Sequence, residues 1–110
     1  MREPDFSVAV VEMGKLVDYL TSSIHPNGKS KARFFAQMGF TPGEWKPLAT
    51  ALQEHAHSNP VATLARTPFG VKYTVDGHLE TPSGSRPVIR TVWIVTSKHP
   101  APRLVTAYPL

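Results

Sequence analysis

Side chains alternate in character along the second half of this chain, and that alternation limits its fold more than any other feature. Val71, Tyr73 and Val75 interleave with Lys72, Thr74 and Asp76, a period of two that suits a half-buried strand and no helix. Residues 87–97 read as a second strand, 104–108 as a third and 61–65 as a further one. The first half has a different period. Met13, Leu16, Val17 and Leu20 fall on one face of a helix that Ser22-Ser23 ends. A second helix is expected over about 30–38, with Gly39 as its left-handed cap and Phe34, Phe35 and Met38 inward. Thr41-Pro42-Gly43-Glu44 matches a capping box. The regular helix after it is expected from near Pro47 to His55 or His57, with Leu48, Leu52, His55 and Ala56 inward and Asn59-Pro60 as its stop. Ten of the 11 prolines lie from Pro26 onward. The expected fold is α+β: two or three N-terminal helices packed on an antiparallel sheet of about four strands. Residues 1–110 form a single domain, with 1–10 as a loose arm or short strand.

Two turns compete between the first two strong strands. Asp76-Gly77 is the better tight-hairpin signal. Folding about Ser83-Gly84 is preferred, because it sets Val75 opposite Val92 and Tyr73 opposite Ile94, with Asp76-Gly77 as a bulge. On that register Val71, Tyr73, Val75, Leu79, Val88, Val92 and Ile94 form the buried face. Lys72, Thr74, Asp76, Thr91 and Trp93 form the polar one.

The chain has no cysteine, which removes disulfide frameworks, zinc-thiolate sites and cysteine nucleophiles and fits a reducing, cytoplasmic setting. No apolar run approaches the length of a membrane span, so no membrane partner is expected. The net charge is +4, and its distribution is uneven. Residues 25–46 carry Lys29, Lys31, Arg33 and Lys46 against Glu44, a net of +3. Residues 61–110 carry six cations against Asp76 and Glu80, a net of +4. Both segments suit an anionic partner.

The run His25-Pro26-Asn27-Gly28-Lys29-Ser30-Lys31 precedes the second expected helix. Unpaired N–H groups and the helix dipole favour anions there, and two lysines at that end are unfavourable unless an anion offsets them. His25 supplies acid–base chemistry near neutral pH. Gly28-Lys29-Ser30 lacks the upstream glycine and strand of a phosphate-binding P-loop. His55 and His57 are two apart on a helix and point to different sides, so no metal site is expected there. Asp76 and Glu80 are too few for a two-metal nuclease centre, and no cofactor is expected.

The elements His25-Pro26, 28–35, Gly39-Phe40, Trp45, Phe69-Gly70-Val71-Lys72-Tyr73, Thr81-Pro82, Gly84, Arg90-Thr91-Val92-Trp93-Ile94 and 102–109 resemble a family of small bacterial domains of unknown function. These occur alone or at the ends of toxin-like proteins. Their helices-then-sheet layout is similar to that of the barnase–EndoU–colicin–RelE group of metal-independent ribonucleases. The resemblance implies a toxin-type endoribonuclease that cleaves RNA through the ribose 2′-hydroxyl. His25 would then be the general acid or base, and Lys72 would stabilise the pentacovalent transition state. Thr91 and Thr106 would orient phosphate oxygens, Lys29, Lys31 and Arg90 would hold phosphate, and Trp93 or Tyr108 would stack a base. Arg90 has a competing role as the ion-pair partner of Asp76 or Glu80. The expected partners are RNA and a small acidic antitoxin or immunity protein. The rival reading is a non-catalytic module that binds nucleic acid or protein through the same basic surface.

Overall fold

The structure, a computed structural model, describes residues 6–11, 37–40 and 45–110. One α-helix, α1 (Trp45–Ser58), precedes strands β1 (Val61–Thr67), β2 (Gly70–His78), β3 (Val88–Val95) and β4 (Arg103–Pro109). The strands form a four-stranded antiparallel meander in the order β1-β2-β3-β4. This corrects the expectation of two or three N-terminal helices on the sheet: the described residues hold one α-helix and are mostly sheet. The helical stretches expected over 13–20 and 30–36, and the capping box 41–44, lie outside the described residues. Gly39 does take a positive φ of 98°.

The helix forms where its apolar spacing requires. Leu48, Leu52, His55 and Ala56 share its buried face. Pro47 sits in the first turn, where a missing N–H costs no intrahelical bond. Asn59 ends the helix by donating its side-chain Nδ2–H to the carbonyl of His55 at 2.8 Å, before Pro60 prevents continuation.

The segment Phe6–Val11 is tied down, not a loose arm. Phe6, Ala9 and Val11 are buried. The Phe6 ring stands edge-on to Tyr73 and Trp93, at centroid distances of 6.4 and 5.8 Å. Val10 bridges to β4, accepting from Leu104 N–H at 3.0 Å and donating to the Pro102 carbonyl at 2.7 Å.

The β2–β3 connection turns about Ser83-Gly84, as the alternation requires, and Asp76-Gly77 lies within β2. The register is one residue from the expected one. Val75 pairs with Thr91 and Tyr73 with Trp93, and β2 has no bulge at Asp76-Gly77. One residue of slip turns every side chain of a strand to the other face. Ile89, Thr91 and Trp93 therefore enter the core beside Tyr73, Val75 and Leu79, while Val92 and Ile94 move to the opposite face with Arg90. Val88 is exposed. The physical reason lies in β3 itself. Both of its faces are apolar enough to be buried, but only one carries a charge, and Arg90 is expensive to bury. A bulge in β4, opposite the Val92–Trp93 step of β3, pairs Thr106 with Val92 and Leu104 with Trp93. Leu104 and Ala107, three apart, thus both face inward.

Gly77 allows this sheet to meet the helix end. A methyl group built there overlaps the Asn59 amide. Gly77→Ala should displace that amide and break its bond to His55, lowering stability by about 1 kcal/mol or more. Urea denaturation of the two proteins measures the difference.

Candidate functional site

The two faces of the sheet are chemically distinct. The inner face packs on α1 and holds a buried polar chain. Trp93 Nε1–H donates to Thr91 Oγ at 2.8 Å. Thr91 Oγ lies 3.2 Å from His55 Nδ1, and His55 Nε2 lies 3.1 and 3.2 Å from the carbonyls of Gly77 and Ile89. Two carbonyls can only accept, so Nε2 carries the proton and Nδ1 accepts from the Thr91 hydroxyl. Every group in the chain is then satisfied. Thr91 and Trp93 are 0% exposed and His55 is 2% exposed. This removes Thr91 and Trp93 from the expected polar face: they are internal, and neither reaches a ligand from outside. The spacing of α1 indicated an inward His55, but its bonding partners depend on the β3 register.

The outer face, turned away from α1, gathers the other candidates. The register aligns Asp76, Arg90 and Tyr108 in one cross-strand row, and Thr74, Val92 and Thr106 in the next. Lys72 follows, opposite Ile94, and is exposed. Arg90 makes a two-pronged contact with Asp76, Nε to Oδ1 at 2.7 Å and the terminal nitrogen to Oδ2 at 2.8 Å. It also hydrogen-bonds Tyr108. The bonds from Arg90 hold the Asp76 carboxyl below its ordinary range, against a smaller opposing effect of desolvation. The bond to Asp76, followed by that to Tyr108, stabilises the Arg90 cation further. Arg90 thus has the carboxylate partner that the sequence offered as its alternative role, and it remains on the same face as Lys72, Thr106 and Tyr108. His25, Lys29 and Lys31 lie outside the described residues.

A cleft of about 530 Å³ opens elsewhere, between α1 and the β2–β3 connection, with Glu54, His78, Glu80 and Arg86 among its lining residues. Arg86 pairs with Glu80 at 2.9 Å, and His78 Nδ1–H donates to the Arg86 carbonyl at 2.7 Å. It contains none of the expected catalytic or phosphate-binding residues. Among the described residues no group of three or more His, Cys, Asp or Glu is placed to hold a metal ion, and no helix is long and apolar enough to cross a membrane.

The inner chain yields two expected outcomes. Thr91→Val keeps the shape but leaves Trp93 Nε1–H and His55 Nδ1 unpaired, at a cost of about 1–3 kcal/mol in chemical denaturation. The second concerns pH. Desolvation lowers the His55 pKa from 6.5, outweighing the bonds to Gly77 and Ile89 and the charge of Asp76. The unfolded chain therefore takes up this proton first as pH falls. The contribution of His55 to stability is full above pH 6.5 and is lost as pH falls through the folded-state value. Urea midpoints measured across this range should decline toward acid, and the decline should be shallower in His55→Gln.

The family described as "Domain of unknown function (DUF6883)" matches residues 2–110. A search of curated proteins found no match. Among solved structures, a chain of the "Contact-dependent growth inhibition toxin - immunity protein complex from Klebsiella pneumoniae 342" is similar in fold. Its TM-score is 0.72 at 18% identity, over 96% of this chain and 96% of that one. With its match extending over nearly its whole length, the chain belongs to the DUF6883 family of domains of unknown function.

Proposed function

We propose that this domain is a toxin-type, metal-independent endoribonuclease whose RNA-facing surface is the outer face of the sheet. The observation that carries the reading is the convergence of Lys72, Arg90, Thr106 and Tyr108 from three adjacent strands onto the face turned away from α1. The likeness in fold to a chain of a toxin–immunity protein complex supports the toxin setting, and the +4 of residues 61–110 supports an anionic substrate. A small acidic immunity protein is the natural inhibitor of such a face, because it matches the charge that draws RNA.

The chemistry needs three things. The ribose 2′-hydroxyl must lose a proton as it attacks phosphorus, the leaving 5′-oxygen must gain one, and the negative charge on the non-bridging oxygens must be offset. Lys72 and Arg90 supply positive charge to the phosphoryl oxygens. Thr106 donates a hydroxyl hydrogen bond to them, and the Tyr108 ring offers a stacking surface for a base. His25 is the group suited to move the protons, with Lys29 and Lys31 as further phosphate ligands. Asp76 keeps the Arg90 guanidinium oriented, and Thr91 and Trp93 act only through the core.

The test is cleavage of total bacterial RNA in EDTA, with the ends analysed. Products should carry 2′,3′-cyclic phosphate and 5′-hydroxyl termini. His25→Ala should slow cleavage by ~10²–10⁴-fold, and Lys72→Ala should lower kcat with little change in binding. Binding of labelled RNA should weaken as salt rises. Salt-sensitive binding without cleavage would make the protein a non-catalytic module, and no binding at low salt would remove RNA from its function.

A further inference from the structure

The outer face of the sheet has an apolar centre with charge at its sides. Val92 and Ile94 of β3 project from it, half-buried, and neither belongs to the buried core. The register sets Ile94 between Lys72 of β2 and Arg103 of β4, and Val92 between Thr74 and Thr106. Neither row holds an acidic side chain. An aromatic ring stands near each end of this stripe. Tyr108 lies beside Arg90 at one end. At the other, beyond Lys72, the β1–β2 hairpin carries Phe69, which is 81% exposed. That turn is held by its own hydrogen bonds: Thr67 Oγ accepts from the Phe69 N–H at 3.2 Å and donates to the Gly70 carbonyl at 2.7 Å. Gly70 lies against the Val95 carbonyl of β3, where a methyl group would overlap it.

We infer, building on the reading of this face as RNA-binding, that its ligand is a single-stranded segment laid along β3 from Arg90 to Phe69. The bases of a single strand are splayed out and offer apolar ring faces. Val92, Ile94 and the rings of Tyr108 and Phe69 match those faces, while Lys72, Arg90 and Arg103 meet the phosphates. Lys72 and Arg103 stand on the strands either side of β3, about 10 Å apart. From Asp76 to Gly70 β2 runs about 20 Å, which suits about four nucleotides, the lower end of single-strand site sizes. A duplex fits this surface poorly. Its bases are stacked inside, so it presents phosphates and 2′-hydroxyls. Set on Val92 and Ile94, those groups would give up water for apolar contact. Phe69 is thereby a binding residue, remote from the groups that carry the cleavage chemistry.

Fluorescence anisotropy with the full chain tests this. The probes are a labelled single strand of roughly eight nucleotides and the duplex of the same length, both 2′-O-methylated so that no attacking hydroxyl is present. At one low salt concentration the single strand should bind about tenfold more tightly than the duplex, or better. Phe69→Ala, at an exposed position, should weaken single-strand binding by roughly five- to a hundred-fold, the worth of one stacked base, and leave duplex binding unchanged. Ile94→Thr should weaken the single strand in the same way, and both variants should keep the circular-dichroism spectrum of the parent. Equal or tighter duplex binding overturns the inference and leaves the anionic-ligand reading of the face standing. A single-strand affinity that either substitution leaves unchanged does the same. No binding of either probe at low salt overturns the inference together with the RNA reading on which it stands.

Discussion

The buried hydrogen-bond chain from Trp93 through Thr91 to His55 is the contact on which the remaining geometry depends. It joins the middle of β3 to the last turns of α1 and reaches two more carbonyls, at the end of β2 and the start of β3. In a dry interior an unpaired polar group costs several times what a made hydrogen bond returns. The chain is satisfied in one register of β3 only. A slip of one residue would put the indole, the hydroxyl and the imidazole out of reach of one another. The apolar residues around it, Leu48, Leu52, Val75, Leu79 and Ile89, supply most of the driving force for burial. They tolerate more than one arrangement, and the polar chain selects among them.

The chemistry of the outer face follows from that selection. With Thr91 and Trp93 inward, Arg90 points outward by alternation, and β2 and β4 deliver Asp76 and Tyr108 to either side of it. The guanidinium is gripped by a carboxylate along one edge and touched by a phenol, so its orientation is set by the sheet and not by a long flexible stem. Such pre-organisation suits the phosphate contact proposed for this face. Lys72, two rows away on β2, is exposed and adds a compact charge to the same surface. The division of labour between the faces explains why a domain of this size can carry a polar surface on one side of its sheet. The helix and the Phe6–Val11 segment supply the burial on the other.

Much of this was legible in the residues. The period of β2, the inward stripe of α1, its stop at Asn59-Pro60 and the turn about Ser83-Gly84 are local properties, set by spacing and by turn chemistry within a few positions. The face of β3 was not legible from alternation, because Val88, Val92 and Ile94 make as plausible a buried stripe as Ile89, Thr91 and Trp93. The presence of Arg90 on the first stripe was the available clue. Reading the threonine and the indole as polar groups in search of a ligand placed them outside, whereas a hydroxyl and an indole N–H are inexpensive to bury once each has a partner. In β4 the bulge displaced the inward set by one residue, and no residue within the strand signals a bulge there.

The sequence by itself determined the strand periods, the helix stripe, the net positive charge and the absence of thiol chemistry, because each depends on residue type and near-neighbour spacing. Tertiary structure alone decided which face of β3 is buried, that Asp76 and Tyr108 flank Arg90, and that Val10 covers the edge of β4. Those outcomes depend on partners 14 to 94 residues apart, whose pairing is not set by the pattern of any single strand.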